Sequence, residues 1–373
     1  MPADAPGSAA DLPPPPGYPS LATGCTGALR RPPGAASLKG LLRRADTGGA
    51  HRAMSRHPPI PLPALLGLLC AVVLSGCTSD HVAPSSISAP ETGVRIGSVA
   101  TDAEAETQLF APLARYLGRR LAEAGSTHVQ AEVVIAPSAD AMGRLLAAGK
   151  VDIYLDSPYP VLRACALGEA TPWLRRWKRG RADYTSTLSV AASGPLHSLE
   201  QLRGKVIAFE DPSSTSRYFL PASELLHRGL TLVECKPGTM TVPGDKVGYV
   251  FAGIDRECLD LLESGKVAAI ALGSDDLYAA TSGRDTRLRV LWRSPPVPRH
   301  VLAYRTNLDP QLRNQLERIL IAMDQDREGR QVLDGFERTA CFDRIPTADR
   351  QVLNRLRELE RQLNDRSASA APR

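Results

Sequence analysis

Short apolar segments alternate with amphipathic segments from residue 94 onward, and this alternation constrains the fold more than any other feature of the chain. The first set of alternating segments predicts strands over 94–99, 129–136 and 151–155, and helices over 104–124, 139–148 and 158–167. Leucines recur at every fourth residue of 104–124, which is helical spacing. Strands that alternate with helices in this way are typical of parallel α/β sheets.

The same pattern then begins again. The further predicted strands are 185–192, 205–209, 267–272, 289–292 and 301–305, and the further helices are 199–203, 213–227, 253–264, 309–325 and 347–366. A Pro-rich crossing, 294–298, precedes the strand at 301. The chain therefore contains two α/β units rather than one.

We expect the second unit to be inserted into the first. Residues 92–192 and 297–366 would form lobe 1, residues 193–296 would form lobe 2, and residues 367–373 would be a tail. Each lobe would be a mostly parallel sheet flanked by helices. Two hinge crossings, near 191–194 and 295–299, would join the lobes. The cleft between hinged lobes is a natural small-molecule site.

The first 91 residues read as an export segment. Residues 1–53 are rich in Pro, Gly and Ala, so they are either disordered or precede the true start at Met54. Residues 54–76 resemble a signal peptide, with Arg56 followed by a thirteen-residue apolar run over 62–74. That run is short for a membrane span.

The apolar run ends in Leu74-Ser75-Gly76-Cys77, which resembles the bacterial lipobox. The resemblance implies lipidation of Cys77 and cleavage just before it, with 77–91 as a polar tether. The mature protein would then be lipid-anchored on the periplasmic side of a membrane. The alternative is an unmodified Cys that closes an ordinary signal peptide.

Charge argues against nucleic acid as a partner. The chain has 45 basic and 40 acidic residues, but seven of the basic and three of the acidic residues lie in 1–77. The remaining body is nearly neutral, whereas nucleic-acid binding needs a concentrated basic face. We interpret the basic run over 175–181 as a solvated loop, with a docking surface as the alternative.

Four cysteines follow Cys77, and they form no CxxC motif or Cys/His cluster, so we expect no metal site and no cofactor. Export permits disulfides. The pairing that keeps each bridge within one lobe joins Cys165 to Cys341 and Cys235 to Cys258. Four buried thiols are the alternative.

A strand followed by a hydroxyl-rich loop carries the most chemical information. Residues 205–209 lead into Asp211 and then into Ser213, Ser214, Thr215 and Ser216, where a helix begins. Unpaired N–H groups at a helix start bind anions, and hydroxyls add donors without fixed charge. We call residues 213–216 the hydroxyl loop. The alternative is plain N-capping by Ser213 or Ser214.

The run SLEQLRGKVIAFEDPSSTSRYFLP (198–221) closely resembles the phosphate/phosphite/phosphonate-type solute-binding lipoproteins of ABC transporters, which have the type II periplasmic binding fold. Three further segments fall in that family's order: GKVDI (149–153), FAG with GKV (251–253 and 265–267), and SPPVP (294–298). The resemblance spans about 93–340. It implies that Ser214, Thr215 and Ser216 bind anionic oxygens.

The remaining predicted ligand residues are those at or near other positions of the family pattern: Asp156, Ser157, Tyr159, Asp255, Asp275 and His300. Asp156 stands where the family often has an aromatic residue. Because carboxylates repel a doubly charged anion, a zwitterion with a cationic arm facing Asp156 or Asp275 fits this set better than simple phosphate.

We therefore expect a monomeric receptor that delivers a small anionic or zwitterionic ligand to an ABC permease. The alternative is a ligand-sensing or structural lipoprotein that serves a membrane sensor without transport. The chain has no HExxH or GxSxG motif, so we do not expect an enzyme.

Overall fold

The computed structural model of the protein describes residues 93–126, 130–253, 255–275 and 287–370. The predicted signal peptide, Cys77 and the tether lie outside these ranges. The described strands are β1 (Gly93–Val99), β2 (Gln130–Ala136), β3 (Ile153–Asp156), β4 (Ala170–Arg176), β5 (Asp183–Tyr184), β6 (Ser186–Ala191), β7 (Val206–Phe209), β8 (Thr231–Glu234), β9 (Lys246–Phe251), β10 (Ala269–Gly273), β11 (Leu288–Arg293), β12 (Val297–Pro298), β13 (His300–Arg305) and β14 (Phe342–Arg344).

The described helices are α1 (Ala103–Glu123), α2 (Ala139–Ala147), α3 (Pro158–Gly168), α4 (Leu220–His227), α5 (Asp255–Glu263), α6 (Pro310–Ala322), α7 (Arg327–Gly335) and α8 (Thr347–Ala370). A π-helical turn over Thr215–Phe219 precedes α4. Within the described part of the chain, no helix has both the length and the apolarity to cross a membrane.

The first sheet has the strand order β14-β4-β13-β3-β1-β2. Strand β1 pairs in parallel with β2 and β3. Strand β13 runs antiparallel to β3 and β4, and β14 runs antiparallel to β4. The sheet is therefore mixed rather than mostly parallel, because the chain returns from the second sheet on an antiparallel strand.

The second sheet has the strand order β11-β6-β10-β7-β9-β8. Its centre is parallel, with β7 paired to β9 and β10, and β8 paired to β9. Strand β6 is antiparallel to both β10 and β11. Strand β6 was expected in lobe 1, whose limit was set at 192, and the structure corrects this because β6 pairs only within the second sheet.

The two crossings lie at β5 and β12, which pair with each other between the sheets. The first crossing therefore precedes β6 instead of following it. Ser186 and Ser294 fasten the two crossing segments together, since the Ser294 hydroxyl accepts the Ser186 N–H at 2.9 Å and the Ser294 N–H reaches the Ser186 carbonyl at 2.9 Å.

Helix α1 shows how the sequence pattern produces the core. The Asp102 side chain caps its start by accepting the Ala105 N–H at 3.0 Å. Leu113, Leu117 and Leu121 are buried in the core cluster that α1 shares with the first sheet, α6 and α7. Burying each such leucine contributes about 1.5–3 kcal/mol. Gly125, with a positive φ of 71°, ends the helix as predicted.

Helices cover both faces of each sheet. Helices α1, α6 and α7 pack on one face of the first sheet, and α2, α3 and α8 pack on the other. On the second sheet, α4 and α5 pack on opposite faces. The α3–α8 cluster continues into the crossings and the π-helical turn, because it includes Tyr184, Val297 and Phe219. The cavity described next is lined by residues of both bodies.

Candidate functional site

A cavity of about 290 Å³ receives side chains from both sheets. Strands β1, β3, β4 and β13 contribute one side, and the segment that follows β7 contributes the other. Its lining residues are Ser98, Val99, Glu106, Leu109, Phe110, Leu155, Asp156, Ser157, Arg176, Lys178, Tyr184, Glu210, Asp211, Ser213, Ser214, Thr215, Arg217, Arg299, His300 and Glu337. Six of the ten predicted ligand residues are in this set.

The hydroxyl loop reaches the cavity through Ser213, Ser214 and Thr215. Ser214 also caps the π-helical turn, because its side chain accepts the Arg217 N–H at 3.2 Å. Ser214 therefore both caps the π-helical turn and lines the cavity. Ser216 does not line the cavity, since it is 6% exposed and its carbonyl accepts the Ser186 hydroxyl.

Thr215 connects the two bodies. Its hydroxyl accepts the Tyr159 N–H at 2.9 Å and donates to the Ser157 hydroxyl at 2.9 Å. Tyr159 does not line the cavity; its ring stacks on Phe219 at a centroid distance of 4.3 Å. Burial raises the Tyr159 pKa to about 12. Tyr159 therefore holds Thr215 in place rather than facing the cavity.

Asp156 and Ser157 end β3 at the cavity. The Asp156 carboxylate accepts the Tyr154 hydroxyl at 2.9 Å and the Ser157 N–H at 2.6 Å. Burial raises the pKa of Asp156 to about 6, against the opposing effect of these two hydrogen bonds. Asp156 is therefore partly protonated near neutral pH.

A group of cations, which we call the basic wall, consists of Arg176, Lys178 and Arg299. Glu337 accepts from two of them, with Arg176 Nη2 at 3.1 Å and Lys178 Nζ at 2.7 Å. Arg176 is 1% exposed, and burial lowers its pKa to about 10. Burial lowers the Lys178 pKa as well.

The basic wall corrects the interpretation of 175–181 as a solvated loop at Arg175, Arg176 and Lys178, whereas 179–181 is an exposed turn as expected. Arg175 and Arg176 lie on β4, both buried, and Arg175 pairs with Asp343 and Asp349, each at 2.7 Å. Sequence reasoning missed these residues because charge suggested exposure. The signal available was the Trp-Leu-Arg-Arg-Trp run, in which apolar residues flank the arginines at strand spacing.

His300 begins β13 and lines the cavity. Its Nδ1 lies 3.5 Å from Arg176 Nη1. Burial, together with the charges of Lys178, Arg176 and Arg299, holds the His300 pKa well below its usual value. The imidazole is therefore neutral near neutral pH, and it contacts the basic wall rather than adding to its charge.

Asp275 and Asp255 stand apart from this arrangement. Asp275 pairs with Arg181 at 3.1 Å and with Arg299 at 3.3 Å, and it does not line the cavity. It therefore holds a wall cation instead of facing a ligand's cationic arm. Asp255 is the first residue of α5, and its side chain lies outside the described residues. A ligand contact by Asp255 stays a prediction.

The predicted disulfides are wrong. Cys165, Cys235 and Cys258 are thiols, so neither the Cys165–Cys341 bond nor the Cys235–Cys258 bond forms. Cys341 is disulfide-bonded, but not to these three. Cys165 packs on the α3–α8 face of the first sheet. Cys258 is buried beneath α5, 3.8 Å from the Phe209 carbonyl.

Metal ligands are not assembled in the part of the chain that the structure describes. There, no group of three or more His, Cys, Asp or Glu side chains has a spacing that could hold an ion. The acidic residues of the cavity are instead engaged with hydroxyls, N–H groups or cations: Glu106 accepts the Ser98 hydroxyl at 2.6 Å and Asp211 accepts the Ser213 N–H at 2.7 Å. The arrangement is suited to binding a small polar ligand.

Solved structures of other proteins share this fold. XAC2383 from Xanthomonas citri, bound to chloride ion, is 27% identical, with a TM-score of 0.69 over 74% of this chain and 99% of that chain. The same protein bound to ATP gives a TM-score of 0.67 over 74% and 98%. PhnD1 from Prochlorococcus marinus, in complex with methylphosphonate, shares the fold at 17% identity and a TM-score of 0.55, over 74% of this chain and 99% of that chain.

The sequence family described as the ABC transporter, phosphonate, periplasmic substrate-binding protein matches residues 96–349. This match covers more than half of the chain, including both sheets and every described residue of the cavity. The expected two-lobed type II periplasmic binding fold is confirmed. Proteins of this family bind solutes for ABC transporters and are not enzymes. The chain therefore belongs to the family of periplasmic substrate-binding proteins of phosphonate ABC transporters.

Proposed function

We propose that the protein is a lipid-anchored receptor that binds a small anionic or zwitterionic, phosphonate-like ligand in the cavity between its two sheets. The observation that carries this proposal is the meeting of the hydroxyl loop and the basic wall in one cavity. The cavity volume, about 290 Å³, suits a small ligand. The 27% identical relative is bound to chloride in one structure and to ATP in another, and both are anions.

The two sides of the cavity offer an anion different kinds of contact. The hydroxyl loop supplies neutral donors from Ser213, Ser214 and Thr215 at the start of a helical segment. The basic wall supplies fixed charge: Lys178 has three donors and directs one of them to Glu337. Hydrogen bonds from charged donors to anionic oxygens are about twice as strong as neutral ones.

Release and capture would use the two crossings as a hinge. Thr215 of the second body contacts Ser157 and Tyr159 of the first, so opening the cavity would break these two hydrogen bonds. A ligand that contacts both bodies would favour the closed form by its differential affinity. The closed form would then dock on an ABC permease as a monomer.

The anchor would be Cys77, with 54–76 as the signal peptide and 77–91 as the tether. Metabolic labelling with an alkyne fatty acid in an exporting bacterial host tests this part separately. We expect label on the wild-type chain, none on Cys77→Ser, and label on the matched control Cys165→Ser. Equal labelling of wild type and Cys77→Ser would contradict lipidation at Cys77.

A thermal-shift screen of the mature chain from residue 78 tests binding. The panel holds phosphate, phosphite, alkylphosphonates, aminoalkylphosphonates, sulfate and alkylsulfonates. A ligand at a hundred times its Kd stabilises the folded state by about 2.7 kcal/mol, which raises Tm measurably. We expect at least one phosphonate or phosphate compound to raise Tm. A panel without any stabilising compound would contradict the proposed ligand class.

A further inference from the structure

Arg299 is a buried arginine on the second crossing, between β12 and β13, and its side chain lines the cavity. That side chain is 9% exposed. The backbone N–H of Arg299 donates to the Ala182 carbonyl, just before β5, at 2.7 Å, which ties the residue to the first crossing. Its guanidinium carbon lies 4.4 Å from the centroid of the Tyr184 ring. An arginine stacked in this way keeps the N–H donors at the edge of its fork available for an acceptor.

The donors of Arg299 lack an acceptor among the described residues. Its Nε lies 3.3 Å from Asp275 Oδ2, but these two atoms do not form a hydrogen bond, and neither has another such partner in the described part of the chain. Its Nη1 and Nη2 likewise make no hydrogen bond to a described residue. A buried charged donor without an acceptor is costly, so Arg299 favours an anionic acceptor supplied by the ligand.

This property distinguishes Arg299 from the other lysine and arginine side chains of the cavity. Those side chains contact glutamates that also line the cavity: Arg176 and Lys178 contact Glu337, and Arg217 contacts Glu210. The acidic partner of Arg299, in contrast, is Asp275, which does not line the cavity and also pairs with Arg181 at 3.1 Å. The cavity side of the Arg299 fork therefore faces no protein carboxylate at contact distance among the described residues.

Tyr184 separates Arg299 from the hydroxyl loop. The guanidinium lies over the face of the ring, whereas the Thr215 and Ser216 side chains lie beside the hydroxyl at the ring's edge. Burial raises the pKa of Tyr184, and the Arg299 charge and these two side chains oppose that rise. The cavity therefore offers two positions for anionic oxygens, on either side of one tyrosine. A head group bound by the hydroxyl loop leaves Arg299 for a second group of the ligand.

A carboxylate is the second group that fits this position best. The cavity volume of about 290 Å³ exceeds what one head group needs, since a single water occupies about 10–15 Å³ of such volume. The planar fork of arginine binds a carboxylate through two parallel hydrogen bonds. A carboxylate brings one negative charge, whereas a second phosphoryl group would bring nearly two. Extra charge is unfavourable here because five carboxylates line the cavity: Glu106, Asp156, Glu210, Asp211 and Glu337.

We propose that the ligand of this cavity is a phosphonocarboxylate, whose phosphoryl group the hydroxyl loop binds and whose carboxylate Arg299 binds. This proposal rests on the proposed function, since it names the substrate class of the same cavity. It also distinguishes the ligand from an aminoalkylphosphonate, which would place an ammonium group against the Arg299 guanidinium. The two crossings then take part in recognition, because Arg299 and Tyr184 belong to them.

Two compounds of equal chain length test the ligand class. 3-Phosphonopropionate carries a carboxylate where butylphosphonate carries an ethyl end, and both carry the same phosphoryl group. We expect calorimetric titration of the wild-type mature chain, at pH 7.5 and constant ionic strength, to give at least about tenfold tighter binding of 3-phosphonopropionate. Equal affinity, or a preference for 2-aminoethylphosphonate, would overturn this proposal and leave the proposed function standing. If no phosphoryl compound binds, the proposed function fails as well.

Arg299→Met tests the residue itself. Asp275 keeps its pairing with Arg181 in this variant, so the chain should fold. We expect the preference for 3-phosphonopropionate over butylphosphonate to fall at least about tenfold, while butylphosphonate affinity stays within about twofold of wild type. Arg181→Met is the matched control, because it removes the other cation that pairs with Asp275, and Arg181 does not line the cavity. It should keep the wild-type preference.

Arg299→Lys separates the shape of the guanidinium from its charge. Lysine keeps the positive charge but lacks the planar fork, so we expect a preference between those of the wild type and Arg299→Met. This variant also decides the assignment if Arg299→Met does not fold. A wild-type preference in Arg299→Lys together with a wild-type preference in Arg299→Met, or an equal loss in Arg181→Met, would overturn the assignment of the carboxylate to Arg299.

Discussion

The Thr215 hydroxyl lies 2.9 Å from the Ser157 hydroxyl, so a side chain that follows the second sheet's β7 meets one that ends the first sheet's β3. The same Thr215 oxygen accepts the Tyr159 N–H at 2.9 Å. These hydrogen bonds join the two bodies at the cavity. A ligand held at this position would contact both bodies at once.

Thr215→Val keeps the shape of the side chain and removes both hydrogen bonds. We expect phosphonate affinity to fall at least about tenfold, and the free energy of unfolding to fall by about 1–2 kcal/mol, because the buried Tyr159 N–H loses its acceptor. Calorimetric titration and urea unfolding measure the two effects. Thr231→Val, at an exposed position of β8, is the control and should change neither. Wild-type affinity in Thr215→Val would contradict the role of the hydroxyl loop.

Lys178→Met removes the wall cation that has donors to spare and keeps the length of the side chain. Glu337 retains its pairing with Arg176 at 3.1 Å, so the protein should fold. We expect anion affinity to fall at least about tenfold while Tm changes little. Burial disfavours the Lys178 charge, so its removal relieves a desolvation cost that offsets part of the lost pairing with Glu337, which Arg176 still contacts. Lys236→Met, at an exposed position, is the control in calorimetric titrations. Unchanged affinity would exclude Lys178 as a ligand contact.

Asp152→Asn tests a structural ion pair at the far end of β3 from Asp156. The Asp152 side chain is 3% exposed, and its carboxylate lies 3.2 Å from Arg95 Nε and 2.8 Å from Arg305 Nε. We expect unfolding free energy to fall by about 3 kcal/mol, because two partly buried guanidinium groups lose their shared anion. Urea denaturation measures this. Ligand affinity of the folded fraction should stay unchanged, and a selective loss of affinity would contradict a structural role.

His300→Gln tests the effect of the buried imidazole on acid stability. The folded-state pKa of His300 lies well below its usual 6.5, so the unfolded chain binds the extra proton first as pH falls. Stability is therefore lost on acidification through about pH 6.5. Between pH 7.5 and 5.5 the wild type should lose about 1 kcal/mol more than His300→Gln in urea unfolding. Equal losses in both proteins would show that His300 titrates normally.

Local patterning was sufficient to predict much of the fold. The leucine spacing of α1 and its stop at Gly125, and the order of strands and helices through β3 and α3, all follow from periodicity and capping. Strands β4 and β9 were not predicted. Two arginines end β4, and β9 begins with Lys246 and contains Gly248, so neither segment reads as a continuous apolar strand. Their place in the sheets depends on tertiary pairing rather than on local propensity.

The local sequence pattern also could not predict to which sheet β6 belongs. The segment reads as a strand in either lobe, and only its antiparallel pairing with β10 and β11 decides the question. The disulfide pairing failed for a related reason, since assignment to one lobe does not bring two cysteines into bonding contact. Cys235 and Cys258 pack in the same cluster of the second sheet and are still thiols.

Sequence motifs predicted six of the twenty residues that line the cavity. The hydroxyl loop and the end of β3 were predicted, because each is a short contiguous segment with its own chemistry. The basic wall was missed because buried arginines depend on distant partners: Arg176 reaches the Phe336 carbonyl and Glu337, 160 and 161 residues away. The sequence predicted Asp275 as a ligand contact, yet in the structure its carboxylate pairs with Arg299 at 3.3 Å.

The most direct test of the central claim is calorimetric titration of one phosphonate ligand into the wild-type mature chain, Thr215→Val and Lys178→Met under identical conditions. The two substitutions lie on opposite sides of the cavity. One bound ligand per chain, weakened at least about tenfold by either substitution, is the result we predict for a ligand held between the two sheets. Binding that neither substitution weakens would contradict this account and place the ligand elsewhere on the protein.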